Sequence, residues 1–447
     1  MKVNKKQQKA FRLLVTDKKS KYIAYGGAAG SGKSWLGCLW LFFMGYSFAK
    51  TRWFVGRRDM KSSRQSIYVT FQKVADAHNF HDYKFNDDGI KFGNGSEIIL
   101  LDLQYMPFKD PMFERLGSKE FTGGWIEEAG EVMELAFDVL KSRVGRHLND
   151  YYKIPPKILI TCNPRKNWLY TTFYRPKRDG LIGESSDNQE YEFIQALYTD
   201  NPFLPEEYIE NLESITDPVT RARLLLGQWE YENDENSLFN DFDALRDMFT
   251  NEHVQPVGAH TGSADIATKG RDRFIGFSSI GNVFKKEFNI GYSGGREIEK
   301  TLRDMMIRCN IPRSMMVVDA DGVGSFIESY LQGIKEFHGG GKPKDSRYQN
   351  LKTECYFKLA DMVRRRTIRV VGLSPQEQEQ LIEELQAVKQ VHIDADTQKI
   401  AINSKEEQKA LLGRSPDIAD ALMMAMFFRA GVRAQGETSI NTIKLAI

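Results

Sequence analysis

The feature that most constrains the fold of this chain is a glycine-rich loop between an apolar strand pattern and an apolar helix pattern. Gly27–Ser34 fits GxxxxGK[ST], the run Tyr22–Tyr25 precedes it, and Trp35–Ala49 follows it. In such a loop, glycines let backbone N–H groups turn toward phosphate oxygens, and the following helix adds positive potential at its N-terminus. The lysine reaches the β- and γ-phosphates, and the hydroxyl after it binds Mg²⁺. We therefore predict a cofactor site at Gly27, Ala28, Ala29, Gly30, Ser31, Gly32, Lys33 and Ser34.

Length and composition limit the organisation of the chain. At 447 residues it exceeds what one core usually supports, which predicts two domains. Its four cysteines show no CxxC pattern, so a reduced compartment without a zinc site is expected. The lysine-rich N-terminal segment lacks the apolar core of a secretory signal, and Trp35–Ala49 is too short to span a bilayer. We expect a soluble protein without a membrane partner.

Between residues 21 and 198, short β-rich runs alternate with amphipathic stretches of helical length. This alternation predicts a largely parallel sheet covered by helices. A hairpin is expected within Lys91–Asp102, where Gly93-Asn94-Gly95 supplies the turn. The candidate strands are Tyr22–Tyr25, Trp53–Val55, Glu97–Leu101, Trp125–Ile126, Ile158–Thr161 and Phe193–Leu197.

The composition and periodicity of the sequence change after Trp229. Tyr231–Asp243 is acidic and Asn-rich with little periodicity, which is typical of a domain boundary. A second β-rich block follows, and it ends with a helix near Pro416. Its candidate strands are Thr261–Ile266, Arg273–Ile280, Lys286–Tyr292 and Met315–Val318. We predict a first domain at residues 1–235, a linker at 236–255, a second domain at 256–432 and a mobile tail at 433–447.

A hydrolytic phosphate-loop site also needs an acid near the metal and a residue that orients water. The apolar run after Phe121 ends in two acids; we predict that Glu127 lies in the outer shell of the metal and that Glu128 polarises the attacking water. Arg115 is a candidate for stabilising transition-state charge, although it could equally be a solvated arginine. Asn163 follows a candidate strand and is a candidate γ-phosphate sensor, whereas Asn-Pro by itself is only a turn signal.

Acids recur at strand ends in the second block. Asp265 and Asp319 each end an apolar strand, where an unpaired carboxylate would be costly unless it bound a cation. Asp417 and Asp420 lie at a helix start, and Asp417 could instead be an N-terminal cap. Strand alternation puts Asp321 on the same face as Asp319. Converging carboxylates of this kind can hold two divalent metals that cut a phosphodiester.

Other charged segments are weaker candidates. Asp394 and Asp396 lie in the alternating segment Val391–Ile402 and are expected to be hairpin acids. Two basic runs, Arg364–Arg366 and Lys342–Arg347, could contact DNA phosphates, but such runs are usually solvated faces.

Taken together, these segments resemble the large terminase subunit of tailed double-stranded DNA bacteriophages and prophages, over approximately residues 5–428. The resemblance implies an α/β architecture, with a phosphate-loop additional-strand ATPase domain followed by a ribonuclease-H-like nuclease domain. The pieces that carry it are Tyr25–Ser34, Val55–Arg58, Trp125–Ala129, Thr161–Pro164, Asp200–Pro205, Leu225–Trp229 and Ser415–Leu422.

The resemblance also implies a viral DNA-packaging function. ATP hydrolysis would drive double-stranded DNA into a procapsid through a portal protein, and a two-metal endonuclease would cut the concatemeric DNA. The implied cofactors are ATP and Mg²⁺, with Mn²⁺ as an alternative in the nuclease site. The implied partners are double-stranded DNA, the portal protein, a small terminase subunit and further copies of this chain, in a pentameric ring. The chain would work in the host cytoplasm, transiently docked to the procapsid.

The resemblance assigns roles by position. Gln7 or Gln8 would contact adenine, and Thr161–Asn163 would couple hydrolysis to movement. The nuclease ligands would be Asp265, Asp319 and either Asp417 or Asp420, and of the last two we expect Asp417 to be the main ligand. Glu127 replaces the aspartate that is usual in the family, and the choice between Asp319 and Asp321 stays open.

Three other interpretations remain at this point. The second domain could be degenerate and bind DNA without cutting it. The chain could be a repair helicase or another phosphate-loop ATPase, which would separate the strands of a forked duplex. A non-enzymatic DNA-binding assembly protein would not need the complete phosphate loop.

Overall fold

The computed structural model describes residues 3–106, 109–230, 237–266, 273–291, 294–321, 330–391 and 399–430. The chain divides into two compact units, residues 1–233 and 234–447. The predicted boundary at 235/236, the acids Asp394 and Asp396, and the predicted tail at 433–447 lie outside the described residues.

The first unit is built on an eight-stranded sheet. Its strands are β1 (Tyr22–Gly27), β2 (Arg52–Arg57), β3 (Tyr83–Asn86), β4 (Gly89–Phe92), β5 (Glu97–Asp102), β6 (Gly123–Ile126), β7 (Ile158–Cys162) and β8 (Tyr191–Ala196). Their order across the sheet is β3-β4-β5-β2-β6-β7-β1-β8. From β5 to β8 all neighbours in this order are parallel, while β3 and β4 form a hairpin that joins β5 antiparallel.

This strand order confirms the expected additional-strand architecture. Strand β7 lies between β1, which leads into the phosphate loop, and β6, which leads into Glu127. All six predicted strands of this region are present, and the predicted hairpin around Gly93-Asn94-Gly95 joins β4 to β5.

The first unit also contains helices, and those at Lys5–Val15, Lys33–Ser47 and Met60–His78 contact the sheet. The helices are α1 (Lys5–Val15), α2 (Lys33–Ser47), α3 (Met60–His78), α4 (Glu114–Gly117), α5 (Glu134–Lys141), α6 (Asn149–Tyr152), α7 (Arg175–Arg178), α8 (Glu206–Glu213) and α9 (Pro218–Thr220). In addition, π-helices span Tyr170–Tyr174 and Arg221–Leu225, and 3₁₀ turns span Ala129–Glu131 and Tyr198–Asp200.

Helix α2 is mostly buried, and Trp40 meets Trp53 of β2 at a ring-centroid distance of 5.6 Å. A Cβ atom at Gly37 would lie 2.5 Å from the Trp125 ring, so this glycine lets α2 approach β6 closely. The apolar run at Trp35–Ala49 is therefore part of a buried helix, as predicted. No helix in the described part of the chain is long and apolar enough to cross a membrane.

The second unit has a six-stranded sheet. Its strands are β9 (His260–Asp265), β10 (Phe274–Ile280), β11 (Val283–Ile290), β12 (Met316–Asp319), β13 (Lys335–Phe337) and β14 (Arg369–Val371), and a separate short pair is formed by β15 (Gln390–Val391) and β16 (Ala401–Ile402). The order across the sheet is β13-β12-β9-β10-β11-β14. Strands β9, β10 and β11 form an antiparallel meander, and β12 and β13 continue in parallel on the far side of β9. This is the expected ribonuclease-H-like arrangement.

One helix lies at the centre of the second unit. The helices of this unit are α10 (Phe242–Asp247), α11 (Gly295–Arg308), α12 (Leu351–Arg364), α13 (Pro375–Gln386), α14 (Lys405–Leu412) and α15 (Asp417–Met424), and 3₁₀ turns span Arg313–Met315 and Ala425–Phe428. All eight residues of α15 are buried, and this helix packs against β9, β10, α12 and α13.

From residue 237 onward, the predicted linker at 236–255 contains a helix and side chains that pack into the second unit. Within it, α10 begins at an Asp241 cap, and Phe239, Leu245 and Met248 are buried in the second core. One of the acidic residues that suggested a linker, Asp241, caps α10, and the apolar residues near it pack into the core of the second unit.

Candidate active sites

The phosphate loop forms as predicted, between β1 and α2. Lys33 is folded back onto the loop: its Nζ donates to the Ala28 carbonyl at 2.5 Å and lies 3.3 Å from Ser31 Oγ. Burial lowers the pKa of Lys33 to about 8. A charged group held only by loop oxygens in a buried position is suited to bind an anion, which would supply the missing opposite charge.

Gln7 and Gln8 lie at different places. Gln7 is buried, and its Nε2 donates to the Gly32 carbonyl at 2.8 Å, while its Oε1 accepts from the Asn4 backbone N–H at 2.8 Å. Gly32 has φ 82°, and a Cβ there would lie 2.4 Å from Gln7 Nε2. Gln8 is exposed and bonds the Val3 carbonyl at 3.3 Å. Of the two candidates, only Gln7 contacts the phosphate loop.

The two glutamates after β6 have different surroundings. Glu127 is buried, and its Oε1 accepts from Ser34 Oγ at 2.8 Å. This contact joins the last residue of the phosphate loop to the acid predicted for the metal's outer shell. Burial raises the pKa of Glu127, although Ser34 and Arg57 oppose the rise. The Glu128 side chain is 41% exposed, and its backbone has a left-handed φ of 48°.

Arg57 is a residue of this site whose role the sequence did not reveal. It ends β2, and its guanidinium binds both Glu127, at 3.4 Å, and Glu128. The sequence placed it only within the segment Val55–Arg58. Arg57 can bind both acids because β2 and β6 are neighbouring strands. No local sequence pattern predicts that these two strands are neighbours.

Asn163 lies at the end of β7, beside β1. Its Oδ1 is buried and has no hydrogen-bond partner among the described residues, so an incoming group could bind it. Thr161 accepts from Trp125 Nε1 at 2.9 Å, which ties β7 to β6. The sensor role of Asn163 stays a prediction.

The segment after β8 also reaches the phosphate loop. Asn201 Nδ2 donates to the Gly30 carbonyl at 2.7 Å, and the Ala29 N–H donates to the Leu224 carbonyl at 2.7 Å. Arg223 Nε donates to the Pro164 carbonyl at 2.8 Å. The π-helix that holds Arg223 and Leu224 therefore contacts both the phosphate loop and the loop of Asn163. The sequence analysis included Asn201 in the segment Asp200–Pro205 but did not predict these contacts.

Arg115 is held by its own unit. Its guanidinium binds Asp110 and donates to the carbonyls of Asp102 at 3.2 Å and Gln104 at 2.6 Å. These partners fix the side chain at the end of β5. A role on another nucleotide would require that it leave them.

In the second unit, four predicted acids line one cavity of about 540 Å³: Asp265, Asp319, Asp321 and Asp420. Asp265 ends β9 and Asp319 ends β12, which are neighbouring parallel strands. Burial, together with repulsion from Asp420, raises the pKa of Asp265 well above its ordinary value. Burial also raises the pKa of Asp319.

Asp417, which we expected as the main ligand of the helix, is not among the residues that line this cavity. Its Oδ2 accepts the backbone N–H of Arg273 at 3.0 Å. Asp420 takes the cavity position because it lies three residues further along α15. The structure therefore places Asp420, and not Asp417, on the lining of this cavity.

Asp420 has three partners that the sequence did not reveal. Tyr356 OH donates to its Oδ1 at 2.7 Å, Lys352 Nζ lies 2.8 Å from the same oxygen, and Lys405 Nζ lies 3.3 Å from Oδ2. Burial alone would raise the pKa of Asp420, but the two lysines hold it below its ordinary value. These residues come from α12 and α14, far from Asp420 in the sequence.

Asp321 lines the same cavity from its exposed side. Its carboxylate accepts the Gly339 N–H at 2.7 Å and pairs with His338 at 3.0 Å. Asp319 is the more buried of the two candidate ligands on this strand.

The donor set of this cavity suits hard divalent cations, because several carboxylates face one space. In the present arrangement they do not form a closed ligand set: among the described residues, no three His, Cys, Asp or Glu side chains are placed to hold a metal ion. The oxygens of Asp420 are occupied by Tyr356 and the two lysines. Metal binding would require these contacts to rearrange.

The two basic runs are engaged within the unit. Arg364 and Arg365 pair with Asp361, and Arg366 pairs with Asp247. In the other run, Lys344 Nζ donates to the Phe427 carbonyl at 3.0 Å and Arg347 pairs with Asp345 at 2.8 Å. These contacts favour structural roles for both runs.

Residues 18–223 match the family model described as phage terminase large subunit. The match spans the phosphate loop, Glu127, Glu128 and the loop of Asn163. A comparison with curated proteins finds no match.

Solved structures similar to this chain include the large terminase of a thermophilic bacteriophage, with 15% identity, a TM-score of 0.42, and coverage of 95% of this chain and 99% of that chain. A complex of the same bacteriophage protein with ADP has 15% identity, a TM-score of 0.43, and coverage of 95% and 98%. The nuclease domain of the large terminase subunit of bacterial virus Sf6 has 20% identity, a TM-score of 0.37, and coverage of 41% and 96%.

Proposed function

We propose that this chain is a DNA-packaging enzyme that hydrolyses ATP to move double-stranded DNA into a procapsid and cuts concatemeric DNA with a metal-dependent nuclease. The observation that carries the proposal is the 2.8 Å contact between Ser34 and Glu127, which joins the phosphate loop to the acid of β6. The family match over residues 18–223 supports the same function.

In the ATPase site, Lys33 would bind the phosphates, and Ser34 and Glu127 would hold Mg²⁺ directly and through water. Bound Mg²⁺ would supply charge neutralisation for the phosphates. Glu128 would accept a proton from the attacking water, because its side chain is partly exposed at the end of β6. Gln7 would lie beside the adenine base, next to the loop, and Asn163 would donate from its amide nitrogen to the γ-phosphate.

In the nuclease site, Asp265, Asp319 and Asp420 would hold Mg²⁺ or Mn²⁺, with Asp321 at the rim. Divalent metal bound there would supply a nucleophilic water and stabilise the leaving oxygen of a phosphodiester. Asp417 would support the site from the start of α15, because its carboxylate binds the backbone at Arg273. A second candidate function, DNA binding without cutting, is favoured by the partners that occupy Asp420.

The finer features of packaging are part of the same proposal. The chain would dock through a portal protein, receive DNA from a small terminase subunit, and act as a pentameric ring in the host cytoplasm. In such a ring, Arg115 could act on a neighbouring copy's nucleotide only after leaving Asp110.

Two assays of the purified full-length chain test this function. ATP hydrolysis should depend on Lys33 and rise when DNA and procapsids are added. Supercoiled plasmid should become nicked or linear in Mg²⁺ or Mn²⁺ and stay intact in EDTA. A chain that hydrolyses ATP but never cuts would leave the DNA-binding alternative, and unwinding of a forked duplex would indicate a helicase instead.

A further inference from the structure

Helix α15 presents Asp420 to the cavity of the second unit on a backbone that a buried carboxylate holds in place. The N–H of the preceding residue, Ala419, donates to Glu384 Oε2 at 2.9 Å. Glu384 is fully buried, and its Oε1 accepts from Arg414 Nη1 at 2.9 Å and from Gln380 Nε2 at 2.7 Å. A buried carboxylate with three donors and a cationic partner is well satisfied, so it can hold the start of α15. What remains to be set is the rotation of the Asp420 side chain.

Tyr356 contacts that side chain from the apolar core. Its ring is fully buried on α12, within the core of the second unit, and its hydroxyl donates to Asp420 Oδ1 at 2.7 Å. Tyr356 is not among the described residues that line the cavity, whereas Lys352 and Lys405, the other two partners of Asp420, line it. The phenol therefore reaches the carboxylate from the core side, and the two ammonium groups reach it from the cavity side.

The three partners of Asp420 would respond differently to a divalent cation in the cavity. The ammonium groups of Lys352 and Lys405 carry charge of the same sign as the cation, which would repel them. Their side chains are 21% and 40% exposed, so they have solvent into which they can move. The phenol of Tyr356 is a neutral donor on a ring that the core holds. It can therefore keep its hydrogen bond to Oδ1 while Oδ2 binds the cation.

We propose that Tyr356 is a positioning residue that holds Oδ1 of Asp420 and so presents Oδ2 to the cavity as a metal ligand. This inference rests on the proposed nuclease function and deepens it. Hydrogen bonds from outside the ligand set orient metal-binding carboxylates, and their loss weakens metal binding. Without the hydroxyl, Oδ1 still contacts Lys352 Nζ at 2.8 Å, on the cavity side. The carboxylate then turns toward an ammonium group that competes with the metal.

The test is Mn²⁺ binding to the full-length chain, measured by calorimetry without DNA or nucleotide, with Asp265→Asn as the background for metal bound elsewhere. Tyr356→Phe should weaken Mn²⁺ binding about tenfold, the scale expected for losing a hydrogen bond to a metal ligand. In plasmid cleavage, the Mn²⁺ concentration that gives the half-maximal rate should rise by the same factor. The rate at saturating Mn²⁺ should stay within about threefold of the wild type, because the lost contact acts on metal binding.

Ser263→Ala is the matched control. Ser263 Oγ donates to the Ala421 carbonyl of α15 at 2.8 Å, so this variant also removes one buried hydroxyl that holds the helix, but not one that binds a carboxylate. Both variants should lower the thermal midpoint in EDTA, because each loses a buried hydrogen bond. Only Tyr356→Phe should weaken Mn²⁺ binding.

The outcomes separate this role from the function on which it rests. Unchanged Mn²⁺ binding in a folded Tyr356→Phe protein, or equal weakening in Ser263→Ala, overturns the positioning role alone. A wild type without Asp265-dependent Mn²⁺ binding overturns the proposed nuclease and this role together, whereas a wild type that binds Mn²⁺ but never cuts overturns the nuclease and leaves the binding comparison to decide the role. If Tyr356→Phe does not fold, Lys352→Met decides: losing the competing ammonium group should strengthen Mn²⁺ binding, and unchanged or weaker binding overturns the role.

Discussion

At the scale of single residues, the two sites differ in how they stabilise buried carboxylates. Glu127 is held by a hydroxyl and a guanidinium, and Asp420 by a phenol and two ammonium groups. Asp265 has no ion pair among the described residues, and burial raises its pKa. Lysines offset the charge of Asp420, whereas burial disfavours the charged forms of Asp265 and Asp319.

The two glutamates after β6 should be separable by mutation. Glu128→Gln should bind ATP but hydrolyse it at least about 100-fold more slowly, since a general base is lost. Glu127→Gln should instead raise the Mg²⁺ concentration needed for activity, because Glu127 accepts from Ser34. Rates measured across a Mg²⁺ titration distinguish the two. Wild-type turnover by Glu128→Gln would contradict the assignment.

A second residue-scale prediction concerns α15. Asp420→Asn should abolish plasmid cleavage in Mn²⁺, whereas Asp417→Asn should retain a measurable rate, because only Asp420 lines the cavity. Ca²⁺ or EDTA serves as the non-cutting condition for each protein. Equal loss in both variants, with both folded, would restore Asp417 as a ligand.

The sequence could not rank these two acids. Residues three apart lie on one helical face, so spacing alone admits both. The difference arises from neighbours that are distant in sequence, Lys352 and Lys405 beside Asp420 and the backbone of Arg273 beside Asp417. Arg57 was missed for the same reason, whereas the phosphate loop was recognisable because all its determinants are local.

At the scale of secondary-structure elements, several candidate catalytic residues lie at the ends of strands: Glu127 follows β6, Asp265 ends β9 and Asp319 ends β12. The predicted central strands were correct because long apolar runs bounded by turns carry their own signal. The strands β13 and β14 were missed, since three residues paired at a sheet edge have too little pattern to be recognised. The helix α10 was taken for linker because its acidic residues mask a short apolar face.

Two helices of the second unit offer a matched stability test. Helices α13 and α14 begin with the same capping box, Ser374 with Glu377 and Ser404 with Glu407. Glu377 also binds Lys286 and accepts from Asn289 at 2.8 Å, which ties α13 to β11. Glu377→Gln should therefore destabilise the unit by about 1–3 kcal/mol, and Glu407→Gln by less than about 1 kcal/mol. Urea unfolding measures both, and equal losses would contradict the bridging role.

The stability that Glu377 contributes should change with pH in a definite direction. Burial alone would raise the pKa of Glu377, but Lys286, the Ser374 backbone and Asn289 lower it below the ordinary value. A carboxyl group whose pKa is lower in the folded protein than in the unfolded chain stabilises the fold at any pH above its unfolded-state pKa, which is about 4.3 for glutamate. This stabilisation is lost as the pH falls through the folded-state pKa. The difference in stability between wild type and Glu377→Gln should therefore shrink on acidification below about pH 4.3.

At the scale of the whole molecule, the chain has two sets of catalytic candidates on two separate cores. The phosphate loop, Glu127 and Glu128 lie on the first sheet, whose apolar core is formed by residues of the first unit. Asp265, Asp319 and Asp420 lie on the second sheet and α15, with their own cores. Each set of candidate residues comes from one unit.

This separation predicts a reciprocal pattern in two single variants of the full-length chain. Lys33→Ala should abolish ATP hydrolysis and keep plasmid cleavage near the wild-type rate, because its ammonium contacts only the phosphate loop. Asp265→Asn should abolish cleavage and keep ATP hydrolysis, and it should raise the thermal midpoint in EDTA, because it removes a buried charge that burial and Asp420 disfavour. Both activities and the midpoint are measured on the same preparations. Loss of cleavage in a folded Lys33→Ala protein would show that the nuclease depends on the nucleotide state, and the two sites would then have to be treated as one coupled machine.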